Sequence, residues 1–188
     1  MQMTGDARAV AAFGFELGLL KRVRRSGWWH AGVRDPESVA EHTMRVAQLA
    51  ALIAVEEGAD PQRAAFLARW HDSQETRTGD LPHTATAYLG KPDPRHITRD
   101  QTSALPDRSK TLVRQAVDEF EDATTPEAHC AQDADRLEML LQALEYQDTG
   151  IHRVTGWIES ARTALTTPTA QHIADAALSL SPLTWRDR

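Results

Sequence analysis

The chain has little cysteine, no excess of basic residues and no long apolar run, and each shortage excludes a class of protein. Its single cysteine, Cys130, cannot form a disulfide within the chain and fits a reducing cytoplasm. The formal net charge of −6 argues against a nucleic-acid polymer as the main partner, because backbone binding needs a basic face. The longest nearly apolar run, 46–55, is too short to span a bilayer. No basic segment followed by an apolar run stands at the N-terminus, so we expect a cytoplasmic protein that binds no membrane.

Sustained two-residue alternation of apolar side chains is also missing, so strands are not predicted. Apolar residues instead recur at helical spacing, and 41% hydrophobic residues in 188 can bury one core. We therefore predict a single all-α domain across 1–188, with its functional core at about 19–146 and C-terminal helices at about 153–180. Helices are predicted over about 7–25, 37–57, 60–74, 107–122, 125–146, 153–165 and 168–180.

Residues 78–106 contain two glycines and four prolines, and this composition predicts a long irregular segment. One short helix is expected within it, at about 84–89. A connection of this length inside a compact domain is often functional, so we interpret it as a lid or a substrate wall.

Three short pieces of sequence are interpreted as one metal site: His42, the adjacent pair His71-Asp72, and Asp135. Each lies in a stretch with helical apolar spacing, and both histidines fall on the inward stripe of their helix. A lone inward histidine is more often a hydrogen-bonded core residue than a metal ligand. An adjacent buried His-Asp pair, however, needs polar partners, and a divalent cation satisfies both residues at once.

The donor set of this site is two imidazole nitrogens and two carboxylates. Such a set suits a borderline metal, so we predict one divalent transition metal ion: Mn, Co, Zn, Fe or Ni. Four protein ligands leave open positions on a six-coordinate ion, which can hold a phosphate oxygen and a water whose pKa the metal lowers. The set indicates metal-assisted hydrolysis of a phosphate ester.

Four segments carry a resemblance to a known family: Trp28, 36–42, 71–82 and 133–138. The last three read Pro-Glu-Ser-Val-Ala-Glu-His, His-Asp-x-x-Glu-x-x-x-Gly-Asp-Leu-Pro and Asp-Ala-Asp-Arg-Leu-Glu. From about 19 to 146 the chain resembles the HD-domain 5′-deoxynucleotidases of the YfbR and HDDC2 type. An HD dipeptide alone is a weak signal, whereas the longer pattern from 71 to 82 is specific.

The resemblance implies a single HD-domain helical bundle, a homodimer, and hydrolysis of nucleoside 5′-monophosphates, in particular deoxynucleotides, to nucleoside and phosphate. It implies that Glu75 and Asp80 act on substrate and water, and that Trp28 lines the substrate pocket. Glu75 shares a helix face with the His-Asp pair, so its carboxylate can hold the attacking water or transfer a proton. The implied metal ligands are His42, His71, Asp72 and Asp135. The residues expected to contact the substrate are Arg25, Trp28, Asp80, Leu81, Pro82 and His83.

One departure from the family concerns the phosphate. The bacterial nucleotidases of this family place an arginine directly before the tryptophan, where this chain has Gly27, as does the HDDC2-like branch. Arg25 or Arg24 can supply the guanidinium instead. Glu138 is open between two roles, orienting a metal ligand and pairing with Arg136.

Three other functions compete with a nucleotidase. A phosphohydrolase that tailors an unusual nucleotide or sugar phosphate keeps the same fold and site. An HD-fold di-iron oxygenase needs two further histidines between the His-Asp pair and the last aspartate, and His96 and His129 stand there without a recognisable motif. A non-catalytic nucleotide-binding regulator is disfavoured by the intact ligand set. Alarmone hydrolases are excluded because they carry Glu-Asp where this chain has Glu75-Thr76.

Overall fold

The structure, a computed structural model, describes residues 4–187, so residues 1–3 and 188 of the predicted domain lie outside the described part. This part contains no β-strand, only an isolated antiparallel bridge between Arg24 and Ser38, and the all-α prediction is confirmed. That 1–188 forms one domain stays a prediction. The α-helices are α1 (Thr4–Leu17), α2 (Gly27–Ala31), α3 (Val39–Glu57), α4 (Pro61–Trp70), α5 (Glu75–Thr78), α6 (His83–Leu89), α7 (Pro94–Gln101), α8 (Asp107–Asp122), α9 (Pro126–Asp148), α10 (Thr155–Ala164) and α11 (Pro168–Ala177). Short 3-10 helices lie at Gly18–Lys21 and Thr184–Asp187.

The centre of the bundle is formed by α3, α4 and α9, which pack their apolar stripes against one another. Ile53, Leu67 and Leu137 are fully buried where these helices meet. Burial of such side chains contributes about 1.5–3 kcal/mol each and holds the helices in fixed relative positions. Two of the predicted metal ligands, His42 and Asp135, lie on α3 and α9, and the other two, His71 and Asp72, directly follow α4, so the core also positions the site.

Helix starts follow local capping chemistry. The Ser38 hydroxyl accepts from the Glu41 N–H at 3.2 Å, and the Glu41 carboxylate accepts from the Ser38 N–H at 2.7 Å. This reciprocal cap makes Val39 the first residue of α3, two residues later than predicted. The Asp60 carboxylate caps α4, with Pro61 in its first turn. Because α3 and α4 begin at fixed caps, their inward faces are also fixed.

The segment 78–106 is more regular than predicted. It contains α6, close to the expected short helix, and also α7, which was not predicted. Asp93 and Pro94 begin α7 with the same cap and proline that begin α4. The expectation of an irregular segment was wrong, because the many glycines and prolines of 78–106 were interpreted as breaks. Asp93 and Pro94 are instead the start of a helix. Within 4–187, no helix is both long enough and apolar enough to span a bilayer.

Candidate metal centre

His42 is buried on α3, and a carboxylate from another helix orients its imidazole ring. Its Nδ1 lies 2.6 Å from a carboxylate oxygen of Glu138, which is buried on α9. The other Glu138 oxygen accepts from the Arg45 guanidinium at 2.8 and 3.0 Å, so the carboxylate is held in place. A carboxylate only accepts, so Nδ1 of His42 donates, and in the neutral imidazole Nε2 presents a lone pair. This arrangement is typical of a metal-binding histidine and its supporting carboxylate.

His71 directly follows α4 and is oriented by the backbone. Its Nδ1 lies 2.7 Å from the carbonyl oxygen of Ala68. Because a carbonyl only accepts, Nδ1 donates, and in the neutral imidazole Nε2 again carries the lone pair. The predicted helix to 74 ends at Trp70, since the Ser73 hydroxyl and N–H both bond to the Trp70 carbonyl oxygen in a tight turn. That turn brings His71 and Asp72 together at one end of α4.

The four predicted ligands converge. Nε2 of His42 lies 3.0 Å from Asp135 Oδ1 and 3.7 Å from Asp72 Oδ2. Nε2 of His71 lies 2.9 Å from Asp72 Oδ2 and 3.8 Å from Asp135 Oδ1. One donor atom from each of His42, His71 and Asp135 lies within 4.8 Å of the others.

The donor atoms are near each other without bonding to each other. Both Nε2 atoms and Asp72 Oδ2 are buried and make no hydrogen bond within the described part of the chain. Buried polar atoms without partners are rare and costly. Lone pairs that point at a shared space rather than at donors fit a bound cation.

The charges of the cluster favour the same occupant. Burial would raise the pKa of the Asp135 carboxyl, but His42 and His71 lower it well below its usual range, so the carboxylate is ionised. Burial would lower the pKa of His71, but Asp72 and Asp135 raise it well above its usual range. Protons and a divalent cation therefore compete for the same nitrogen atoms.

Arg25 reaches into the cluster and Arg24 does not. The Arg25 Nη1 lies 3.3 Å from Asp80 Oδ1 and 3.8 Å from Asp72 Oδ2, with 17% of the side chain exposed. Arg24 instead pairs with Asp35 at 3.0 Å, away from the cluster. Burial would lower the pKa of Arg25, but Asp80 and Asp72 raise it overall, so the guanidinium stays charged.

Asp80 ties its loop to the segment that carries Arg25. Its carboxylate accepts from the Ser26 N–H and from Arg25, and its carbonyl oxygen accepts from the Ser26 hydroxyl at 2.6 Å. Gly79, with φ of 70°, makes the turn that brings Asp80 to this position. These two donors hold the carboxylate in place. The predicted contact between Asp80 and the substrate stays a prediction.

Glu75, the first residue of α5, lines the cavity beside the cluster. Its Oε2 is buried and has no hydrogen-bond partner in the described residues. Burial, and then the charges of Asp72 and Asp80, raise the pKa of Glu75 well above its usual range. A buried carboxyl group with a raised pKa in a cavity wall is a candidate for proton transfer.

Two cavities adjoin these residues. The larger has a volume of about 580 Å³ and exposes His71, Asp72, Glu75 and Asp135 in its wall. Its other lining residues are Gln74, Thr78, Gly79, Leu81, His83, Thr86, Lys91, Pro92, Pro94, Phe120 and Glu121. A smaller cavity of about 180 Å³ is lined by Arg25, Gly27, Trp28, Asp80, Leu81, Pro82, His83, Met139 and Trp157. The six predicted substrate-contacting residues thus lie together around the smaller cavity, and Leu81 and His83 line both.

The ring of Trp28 is too buried to offer a free face for stacking on a base. It is 2% exposed, its indole N–H donates to Glu37 at 3.1 Å, and its ring packs edge-on against Tyr146. The side chain is mainly a core residue that contributes one wall of the smaller cavity.

Three polar residues at the site, Arg45, Gln74 and Lys91, are not predicted by the sequence patterns. Arg45 lies three residues after His42 on α3, so its helical spacing was a usable signal. Glu138, left open by the sequence, contacts His42 and Arg45, whereas Arg136 pairs with Asp133 at 2.8 Å.

A family model described as HD domain matches residues 17–176. The chain belongs to the HD-domain family. The HD-domain chain is 37% identical over 134 residues to a Xenopus laevis protein named 5′-deoxynucleotidase HDDC2, covering 70% of the chain and 66% of that relative. It is 33% identical over 147 residues to the Homo sapiens protein of the same name, covering 76% of the chain and 70% of the relative. A solved structure titled conserved hypothetical protein from Pyrococcus furiosus has a TM-score of 0.73 and 28% identity, covering 90% of this HD-domain chain and 99% of its own.

Proposed function

We propose that this protein is a metal-dependent phosphohydrolase that cleaves deoxynucleoside 5′-monophosphates to deoxynucleoside and phosphate. The observation that carries the proposal is the convergence, beside a cavity, of unpartnered donor atoms from His42, His71 and Asp72 with the carboxylate of Asp135. The names of the Xenopus laevis and Homo sapiens relatives support the substrate class.

His42, His71, Asp72 and Asp135 would hold one divalent transition metal ion. Their nitrogen and carboxylate donors suit Mn, Co, Zn, Fe or Ni. When bound, the ion supplies a water of lowered pKa and neutralises charge on a phosphate oxygen. Glu138 keeps the His42 ring in orientation, and Ala68 does the same for His71 through its carbonyl oxygen.

Arg25 is the guanidinium proposed to bind the phosphate. It is the arginine that the structure directs at the cluster, it remains charged, and its Nε is buried without a partner in the described residues. Asp80 and Ser26 hold the Arg25 segment against the loop 79–82, so the guanidinium is preorganised before substrate binds. Asp80 is proposed to position Arg25 and to meet a substrate hydroxyl.

Glu75 is proposed to move the proton. Its raised pKa and its place in the cavity wall suit a group that takes a proton from the attacking water or gives one to the leaving oxygen. The cavity of about 580 Å³ falls in the range of small-molecule pockets and can take the nucleoside. Lys91, at the exposed side of this cavity, adds the positive charge that an anionic substrate needs.

A homodimer and a cytoplasmic location complete the proposal. Met44, Leu52 and Val55 are each at least half exposed and lie on one outer stripe of α3. An apolar stripe of this kind is typical of a face that another protein covers, and we assign it to a second copy of this chain. The buried free thiol of Cys130 fits a reducing compartment.

The substrate class is tested by phosphate release from a panel of nucleotides in the presence of Mn, Co or Zn. We expect release from deoxynucleoside 5′-monophosphates and little from triphosphates, because one metal ion and one buried arginine offer few groups for three phosphates. A clear preference for triphosphates, or for sugar phosphates without a base, would contradict the proposed substrate.

A further inference from the structure

Gln74 is a buried polar residue in the wall of the larger cavity. It lies between the ligand pair His71-Asp72 and Glu75, in the tight turn that follows α4. Its side chain is 8% exposed, and its Nε2 donates to the His71 carbonyl oxygen at 2.7 Å. The carbonyl only accepts, so the amide nitrogen is identified by this bond, and the amide oxygen is the other terminal atom.

The amide oxygen of Gln74 is left without a donor. Oε1 is buried and makes no hydrogen bond in the part of the chain that the structure describes. An unpartnered buried acceptor is costly, so a donor from outside the protein is expected to reach it. The same residue lines the cavity that exposes His71, Asp72 and Asp135, and a molecule in that cavity can supply the donor.

The chemistry of the reaction limits which donor this is. The non-bridging oxygens of a phosphate monoester dianion are acceptors, so the amide oxygen does not face the phosphate. Water is a donor, and a neutral acceptor can orient water without adding charge to a cavity that already holds Asp72, Glu75 and Asp135.

Resting on the proposed function, we propose that Gln74 is a positioning residue whose amide oxygen accepts a hydrogen bond from the water that attacks phosphorus. In this step the water oxygen bonds to phosphorus, and the bond from phosphorus to the nucleoside O5′ breaks with its electron pair. The water loses one proton and the leaving oxygen gains one. Gln74 takes no proton and aligns the water lone pair with phosphorus.

The test compares Gln74→Met with Gln74→Glu on the metal-loaded enzyme. Gln74→Met keeps the length and removes the acceptor, so kcat should fall by about tenfold, the effect of one lost hydrogen bond in the transition state. KM and metal content should stay near wild type. Gln74→Glu keeps an acceptor, but it adds a negative charge to the cavity and loses the donor to the His71 carbonyl oxygen, so its kcat should fall at least as far as that of Gln74→Met. If Gln74→Met does not fold, Gln74→Asn withdraws the oxygen by one methylene and should lower kcat in the same way.

Gln101 offers a matched control. It is 6% exposed, its Nε2 donates to the Ser73 carbonyl oxygen at 3.0 Å, and its Oε1 is also unpartnered in the described residues. It does not line the larger cavity. Gln101→Met should lower the melting temperature and leave kcat unchanged, which separates positioning of water from support of the turn.

The substrate is varied to identify the donor. Attack by water is common to deoxynucleotides and to p-nitrophenyl phosphate, so Gln74→Met should lower kcat equally for both. A loss confined to nucleotides would mean that the amide contacts the base or sugar and would overturn the proposal. Wild-type kcat in Gln74→Met or Gln74→Asn, or an equal loss of kcat in Gln101→Met, would also overturn it. Release from p-nitrophenyl phosphate without release from nucleotides contradicts the proposed function and leaves this test intact.

Discussion

At the scale of single residues, the sequence predicted the candidate metal ligands that the structure brings together, but it did not predict the residues that support them. The His71-Asp72 pair is adjacent in the chain, so its need for a cation can be inferred without a fold. The contact between Glu138 and His42 joins residues 96 positions apart. It depends on how closely α3 and α9 approach, which local spacing does not decide.

The first prediction at this scale concerns metal binding. Asp72→Ala should remove most of the bound metal, because Asp72 Oδ2 lies within 4 Å of both histidine nitrogens and is proposed as a ligand. Helicity should change little, since the side chain is not part of the apolar core. Metal per chain is measured by mass spectrometry, and circular dichroism checks the fold.

A matched control for this experiment is Asp148→Ala, an exposed aspartate at the end of α9. It should keep wild-type metal content. Equal metal content in Asp72→Ala and in the wild type would remove Asp72 from the ligand set.

The second prediction concerns Glu75. If this buried carboxyl transfers the proton, Glu75→Gln should lower kcat by about 10²-fold or more, because the amide keeps the shape but cannot exchange a proton. KM should change less than kcat, and metal content should stay near wild type. Glu159→Gln, an exposed change on α10, is the control for the loss of a carboxylate. Normal turnover by metal-loaded Glu75→Gln would show that Glu75 has no role in proton transfer and is only a carboxylate at the start of α5.

At the scale of elements, helix starts could be predicted wherever a cap and a proline stand together. The predicted bounds of α8, Asp107–Asp122, agree with the structure, and Pro126 begins α9 behind its Thr125 cap as expected. The end of α4 was predicted four residues too late. Side-chain bonds from Ser73 and Gln74 to backbone carbonyl oxygens terminate it, and apolar spacing does not report such bonds.

The prediction at this scale concerns Glu16, which joins α1 to α5 and α7. Its carboxylate accepts from Arg77 at 2.7 Å and from Gln101 at 3.2 Å. The Arg77 hydrogen bond lowers the pKa of Glu16 in the folded protein despite partial burial. Glu16→Gln should therefore reduce the free energy of unfolding at neutral pH by about 1 kcal/mol, at the scale of one charge-assisted bond reduced by solvent screening.

The pH dependence gives the sign of this effect. A carboxyl whose folded pKa is lowered stabilises the protein above its unfolded pKa, and this stabilisation is lost as pH falls through the folded pKa. Urea denaturation should therefore show a gap between wild type and Glu16→Gln that is largest near neutral pH and closes in acid. Glu56→Gln, an exposed change on α3, should show no such gap. A gap for Glu16→Gln that stays constant into acid would contradict the role given to its charge.

At the scale of the whole molecule, an acidic protein is proposed to act on an anionic substrate. The chain carries a net charge of −6, and the larger cavity is lined by Asp72, Glu75, Glu121 and Asp135. A phosphate can approach such a site only if positive charge is concentrated there, and Arg25 and Lys91 supply part of it. The metal ion would supply the rest, so the account requires the activity to depend on metal.

The most direct measurement is the rate of phosphate release from a deoxynucleoside 5′-monophosphate by metal-stripped protein, titrated with Mn or Co. We predict no release by the stripped protein and a rate that rises to a plateau at about one ion per chain, the capacity of one cluster of His42, His71, Asp72 and Asp135. Full activity in the presence of a chelator, or no release at any metal concentration, would contradict the account.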